Sequence, residues 1–229
     1  MGARRLGRPL TVWIAPEDLR VGILGGTFDP VHYGHLVIAE QVREALSLDR
    51  VVFVPADIPP HKQDEWVAPA ADRVAMVELA VAGNPFFAVS RVELERHGPS
   101  YTADTLAVLS DEASRQGVAR EFHFILSAEA LAGFHGWRQP ERILAMARLA
   151  VVPRPGAPLP DRAWFAANAP GVPAERVSCV DTVPLAHSSS DVRTRAAAGR
   201  SIRYLVPPAV EAYIRDHRLY LSNNTQRIA

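Results

Sequence analysis

At 229 residues the chain spans one to two domains at about 150 residues each, and it is long enough to bury a core without staples. Hydrophobic residues make up 48% and charged residues 22%, and 25 Lys and Arg balance 25 Asp and Glu. Zero net charge argues against a surface that coats a polyanion, and therefore against a nucleic-acid partner, while allowing a pocket for one small phosphorylated ligand. The single cysteine, Cys179, excludes an internal disulfide.

Residues 1–20 read as an extension ahead of the fold. Arg4, Arg5 and Arg8 could begin a signal sequence, but the apolar stretch 10–15 is too short for one and Pro16-Glu17-Asp18 ends it. No apolar run approaches the ~20 residues of a membrane helix, so the expectation is a cytoplasmic chain with no membrane partner. Val21-Gly22-Ile23-Leu24 is a buried strand stopped by Gly25-Gly26. From His35 the apolar period becomes helical, with Leu36, Ala39, Val42 and Leu46 on one side. Val51-Val52-Phe53-Val54 is the next strand, completing a βαβ unit whose strands are parallel.

The alternation continues. A helix is expected over 69–82, a strand over 86–89, a helix over 102–114 with Ser100 or Thr102 near its cap, and a strand over 122–126 that ends in Ser127-Ala128-Glu129. A helix over 142–147 and a strand over 149–152 follow. Residues 153–173 are rich in Pro, Ala and Gly and read as a surface excursion with a short helix near Trp164-Phe165. A strand over 177–180, a helix over 188–198 stopped by Gly199, and a last helix opened by Pro207-Pro208 complete the fold. The fold proper spans 21–219, ahead of a polar tail over 220–229. Nearly all-apolar strands alternating with helices specify an α/β fold, a parallel sheet covered on both faces.

Two stretches carry chemistry. Gly25-Gly26-Thr27-Phe28-Asp29-Pro30-Val31-His32-Tyr33-Gly34-His35 joins the first strand to the first helix. Glycines let backbone N–H groups approach an anion, and the helix presents its positive end. His32 and His35 share one side of the first turn, where two imidazoles can donate to phosphoryl oxygens. A plain strand-helix turn is the simpler alternative, and the spacing is neither a Walker A loop nor a dinucleotide fingerprint. Asp29, His32 and His35 could also be metal ligands, but Pro30 bends the chain between the first two and no cysteine or second histidine pair stands nearby. In the second stretch, His187-Ser188-Ser189-Ser190-Asp191-Val192-Arg193, the serines before a helix are caps on residue type alone; Ser190, the turn's N–H groups and Arg193 could otherwise hold an anion.

The first stretch resembles the signature of the nucleotidylyltransferase superfamily, and in its full length that of the bacterial nicotinate mononucleotide adenylyltransferases. The likeness continues through Pro59-Pro60-His61-Lys62, through Gly98-Pro99-Ser100-Tyr101-Thr102-Ala103-Asp104-Thr105-Leu106, and through Val152-Pro153-Arg154-Pro155-Gly156. The serine stretch is similar to the family's phosphate-binding motif, with His187 where an aliphatic residue is usual. Ser127-Ala128-Glu129 departs from the family's glycine-alanine-aspartate, which puts the geometry there in question.

The resemblance implies a Rossmann-like doubly wound sheet with helices on both faces and C-terminal helices appended. It implies adenylyl transfer from ATP to nicotinate mononucleotide, giving deamido-NAD and pyrophosphate, with Mg²⁺ brought by ATP and no resident metal. His32, His35 and Arg193 would be catalytic. Gly25, Gly26, Thr27, Phe28, Ser189 and Ser190 would join them in holding ATP. Lys62, Thr102, Ser127, Glu129, Trp137 and Arg138 would hold the mononucleotide, with Trp137 stacked on the pyridine; on residue type alone Lys62 is a solvated lysine and Trp137 a core residue. Another acceptor within the superfamily, or nucleotide binding without turnover, remains open, as does homo-oligomerisation.

Overall fold

A computed structural model describes residues 19–58, 67–96, 98–153, 157–183, 185 and 188–221. Several expectations lie outside the described residues: the extension through residue 18, Lys62 and its prolines, Arg154 to Gly156, His187, and the tail from Ser222.

Among the described residues, six strands form one parallel sheet: β1 (Arg20–Gly26), β2 (Arg50–Pro55), β3 (Phe87–Val89), β4 (Glu121–Ser127), β5 (Ala147–Val152) and β6 (Val177–Cys179). Their order is β3-β2-β1-β4-β5-β6, the doubly wound arrangement. Between them run α1 (Tyr33–Ala45), α2 (Ala70–Val81), α3 (Val92–Arg96), α4 (Thr102–Arg115), α5 (Ala128–Ala132), α6 (Pro140–Met146) and α7 (Arg162–Asn168); α8 (Ser189–Ala197) and α9 (Pro208–Asp216) close the fold.

The strands show why both faces must be covered. Along β2, Val51 and Phe53 pack into one core with Ala39 and Val42 of α1, Met76 and Val77 of α2, Val192 of α8 and Val210 and Ile214 of α9. Val52 and Val54, one residue out of phase, pack into a second core with Leu106 and Leu109 of α4 and Ile143 of α6. That two-residue alternation divides continuous apolar runs between two hydrophobic layers. The chain leaves β1 toward β2 on one side, while β4 pairs with β1 on the other. The strand order reverses between β1 and β4, and a crevice opens at their carboxyl ends.

The differences from expectation are local. The segments α3 and α5, five residues each, carry too few positions to show a period. The strand expected from Phe86 begins at Phe87; Phe86 is turned outward under the Arg43 guanidinium, 4.3 Å above its ring. The helix expected from residue 142 begins at Pro140, in its first turn where proline fits. Tyr101 occupies the cap position of α4, with Ser100 and Thr102 on either side of it as expected, and Ser100 Oγ accepts from the Asp57 amide at 3.0 Å. Gly199 stops α8 as expected, at φ +64°. Arg20 already belongs to β1, and Tyr220, read as the first residue of the tail, is 2% exposed within the α1–α2–α9 core.

A guanidinium sits inside. Arg73 lies on the apolar face of α2 beside Met76 and Val77 and is 1% exposed. Its guanidinium donates to the carbonyls of Ala68, Thr27, Ala56 and Asp57 at 2.6–3.0 Å. It therefore ties together the segments that leave β1 and β2. Burial pulls its pKa below the usual arginine value, opposed first by the charge of Asp29. Replacing Arg73 with Met leaves four carbonyls without this donor and Asp29 without this cation. Denaturant unfolding of Arg73→Met is expected to show a loss of about 3 kcal/mol or more, the scale for breaking a buried charged network.

Candidate active site

The segment after β1 makes a tight excursion. Phe28 adopts φ +50°, a left-handed conformation that costs a bulky residue energy. Its ring is buried against Gly26, where a Cβ would stand 3.2–3.4 Å from ring atoms. A side chain at 26 would need the buried Phe28 ring to give way by a few tenths of an ångström, so packing favours glycine here apart from the approach of an anion. The Phe28 ring continues edge-on to His35 and against Phe53, with centroids 5.0 and 5.8 Å apart.

His32 caps α1. Its Nδ1 accepts from the Gly34 amide at 3.1 Å, and Nδ1 of His35 accepts from the His32 amide at 3.2 Å. These reciprocal bonds form a capping box with imidazoles in place of the usual hydroxyl and carboxylate. A peptide N–H can only donate, so each Nδ1 is unprotonated and each neutral ring carries its proton on Nε2. The two rings lie together, centroids 3.8 Å apart and 31° between planes. The expectation that both occupy one side of the first turn holds, and the hydrogen-bond network presets both as Nε2 donors.

The start of α8 is fastened to the same excursion. Ser188 caps the helix, its Oγ accepting from the Asp191 amide at 3.2 Å. Ser189 Oγ donates to the Pro30 carbonyl at 2.9 Å. Arg193 donates to the Asp29 carbonyl at 2.8 Å and to Ser190 Oγ at 3.2 Å. Ser188 thus does the capping, and Ser189, Ser190 and Arg193 stand against the histidine segment. That leaves His32, His35, Ser189, Ser190 and Arg193 as one cluster, joined through residues 29 and 30.

A cavity of about 260 Å³ opens at the ends of β1, β2 and β4, with Gly25, Gly26 and Thr27 on its rim. Its wall includes Thr102, Trp137 and Arg138, three of the residues expected to hold a mononucleotide. Trp137 is half-buried, edge-on to Phe124 at 5.9 Å and tilted on Phe134 at 5.4 Å. Its indole is thus both a core residue and a cavity wall. The Arg138 guanidinium lies 4.7 Å over the Tyr101 ring, which also lines the cavity. Ser127 and Glu129 stand apart from that lining: Ser127 caps α5, its Oγ accepting from the Ala130 amide at 3.2 Å, and Glu129 is exposed on its first turn. The side chain of Phe28 faces the core.

Sequence reasoning missed Glu93. It lines the cavity at 7% exposure, and its Oε1 accepts from Thr105 Oγ1 at 2.6 Å. Burial raises its pKa, opposed by hydrogen bonds from Ser100 and Thr105 and by the charge of Arg96. Nothing in Val92-Glu93-Leu94-Glu95-Arg96 separates this acid from a surface one, and its partner Thr105 stands one turn into α4. Among the described residues, no group of three or more His, Cys, Asp or Glu is placed to hold a metal ion.

A model of the family described as cytidylyltransferase-like matches residues 23–195. A probable nicotinate-nucleotide adenylyltransferase of Roseiflexus sp. (strain RS-1) is 51% identical over 200 residues, covering 87% of this chain and 97% of the relative. Its counterpart in Thermus thermophilus is 47% identical over 202 residues, covering 88% and 100%. Among solved structures, the Plasmodium falciparum nicotinic acid mononucleotide adenylyltransferase complexed with NaAD matches with a TM-score of 0.69 at 17% identity, covering 88% of this chain and 97% of that one, a likeness of fold.

The raised Glu93 pKa has a consequence for stability. A carboxyl whose folded pKa lies above its unfolded value favours the fold while protonated and loses that contribution as pH rises through the folded value. Glu93→Gln keeps an acceptor for Thr105 and removes the charge. Thermal melts of this variant and the wild type should lie closest at about pH 4 and diverge toward about pH 8, with the variant gaining relative stability.

Proposed function

Because the chain belongs to the cytidylyltransferase-like family, we propose that it transfers the adenylyl group of ATP to nicotinate mononucleotide, giving deamido-NAD and pyrophosphate. The observation that carries this reading is the division of the site by the Gly25–Thr27 segment. A donor cluster suited to phosphates stands on one side and an aromatic cavity suited to a flat ring on the other. Relatives named as nicotinate-nucleotide adenylyltransferases at 41–51% identity support the choice of reaction. The reading makes the protein a cytoplasmic enzyme of NAD biosynthesis, and no described helix is long and apolar enough to cross a membrane.

ATP lies with its phosphates between the starts of α1 and α8. Both helix N-termini favour negative charge there, His32 and His35 donate from Nε2, and the Arg193 guanidinium supplies the cationic charge. The metal ion is Mg²⁺, entering as part of the ATP substrate and coordinated chiefly by phosphate oxygens and water. The mononucleotide occupies the cavity, its pyridine against Trp137 and its polar groups toward Thr102 and Arg138.

The nucleophile is the 5′-phosphate of the mononucleotide. With a second pKa near ~6 it is already largely ionised at neutral pH, so no general base is needed. Its oxygen forms a bond to the α-phosphorus while the bond to the bridging oxygen breaks, and that electron pair leaves with pyrophosphate. Catalysis then consists of aligning the two reactants and stabilising charge that spreads over the transferred phosphoryl group.

Pyrophosphate release is the test. With ATP and nicotinate mononucleotide it is expected to proceed, and to be much slower with nicotinamide mononucleotide. Equal rates with both would overturn the acceptor assignment, and none with either would make this a nucleotide-binding protein without turnover. His35→Ala should lower kcat by about a hundredfold, the scale of one lost transition-state donor. Its stability should fall only by the cost of a helix cap, about 1 kcal/mol. Trp137→Ala should weaken mononucleotide binding by about tenfold while sparing ATP, as read by calorimetric titration.

A further inference from the structure

Asp29 belongs to the first motif yet has no part in the scheme above. It is 3% exposed, and its carboxylate is shared among elements far apart in sequence. Oδ1 accepts from the Tyr220 hydroxyl at 2.7 Å and from the Ala68 amide at 3.3 Å. Oδ2 lies 3.7 Å from Arg193 Nη1, the same nitrogen that donates to the Asp29 carbonyl. The phenol that completes this arrangement comes from beyond the last helix, 191 residues away.

The chain goes to some trouble to bring it there. Helix α9 is moored on α2 by the Tyr213 hydroxyl, which donates to Asp72 at 2.8 Å. After α9, Arg218 and Tyr220 both take left-handed conformations, at φ +53° and +64°. An aromatic residue rarely adopts this backbone, and it persists only where the surroundings enforce it. The result turns the phenol inward to 2% exposure. Burial and the neighbouring carboxylate hold the phenol protonated, so it acts as a donor.

From this geometry we infer that Tyr220 is a positioning residue for adenylyl transfer: through Asp29 it fixes Arg193 at the phosphate side of the site. The inference rests on the assignment of Arg193 to ATP. With its carboxylate anchored by the phenol, Asp29 holds both its own carbonyl and its charge at the Nη1 edge of the guanidinium. The remaining N–H donors of Arg193 then point in a set direction toward a phosphate. Without the phenol the carboxylate can rotate toward Arg193 and compete with the nucleotide for it.

The test compares Tyr220→Phe, Arg193→Ala and the double variant in the full chain, by steady-state kinetics with each substrate varied and by mononucleotide titration. Tyr220→Phe retains the buried ring. It is expected to lower kcat/KM for ATP by about tenfold, on the scale of one hydrogen bond to a charged group. Mononucleotide affinity should stay within about twofold, since the cavity lies on the other side of Gly25–Thr27. In the Arg193→Ala background the same change should have no further effect on ATP. Equal losses for both substrates, an unchanged kcat/KM for ATP, or independent effects in the double variant would each overturn the inference. Arg193→Ala with normal ATP use would overturn the ATP assignment and the inference together, whereas its loss beside a normal Tyr220→Phe overturns the inference alone. Should Tyr220→Phe fail to fold, Tyr220→Leu, which also removes the hydroxyl and leaves the Asp29 charge in place, carries the same test, with the same ATP-selective loss expected and a loss shared by both substrates against it.

Discussion

A carboxylate and a guanidinium buried at the carboxyl ends of β1 and β2 are the constraint on which the site depends. Arg73 gathers carbonyls from Thr27, Ala56, Asp57 and Ala68, while Asp29 gathers the Tyr220 hydroxyl, the Ala68 amide and the charge of Arg193. Neither ion would be tolerated alone in this position, because an unpaired buried charge costs several kcal/mol. Together they specify one path for the chain between β1 and α1. That path includes the left-handed turn at Phe28, which a free loop would avoid. The histidines, α8 and the rim of the cavity are all placed by it.

The sheet order determines where this segment can work. At the reversal between β1 and β4 the flanking connections depart in opposite directions, leaving the carboxyl ends of both strands uncovered. The segment after β1 crosses that gap and separates a polar region, built by the starts of α1 and α8, from an aromatic one, built by α4 and Trp137. In the proposed reaction one excursion would thereby set the distance between the two substrates. A reaction whose nucleophile needs no activation depends chiefly on such alignment. The imidazoles add a related economy of design: their Nδ1 atoms cap α1, so the same bonds that hold the helix fix which nitrogen donates.

Much of this was legible in the sequence because it rested on period and on motif. Apolar runs such as Val51-Val52-Phe53-Val54, separated by helical spacing, specified a parallel sheet covered twice. The glycine-histidine string and the serine stretch located the two helix starts. What escaped has a physical explanation in each case. Arg73 occupies a core position at helical spacing from Met76 and Val77, a placement that signals a partnered buried arginine, but its partners are backbone carbonyls with no sequence signature. Glu93 is bonded to Thr105 of the helix that follows it and Tyr220 to a residue 191 positions away; each has apolar neighbours but no local period that marks its own side chain for burial. Ser127 stands where the family carries a glycine; its hydroxyl finds a local amide and caps a short helix, a bond that residue type alone does not announce.

Bonds within the protein hold the segment between β1 and α1, so it is built before any nucleotide arrives. Amide hydrogen exchange of the ligand-free protein tests it most directly, read at the Gly34 and His32 amides that donate to the imidazoles and at the Ala68 amide bonded to Asp29. Protection comparable to that of the β1 amides is expected, lost only with opening of the surrounding core. Exchange at the rate of an exposed loop, with protection appearing only when ATP is added, would contradict it.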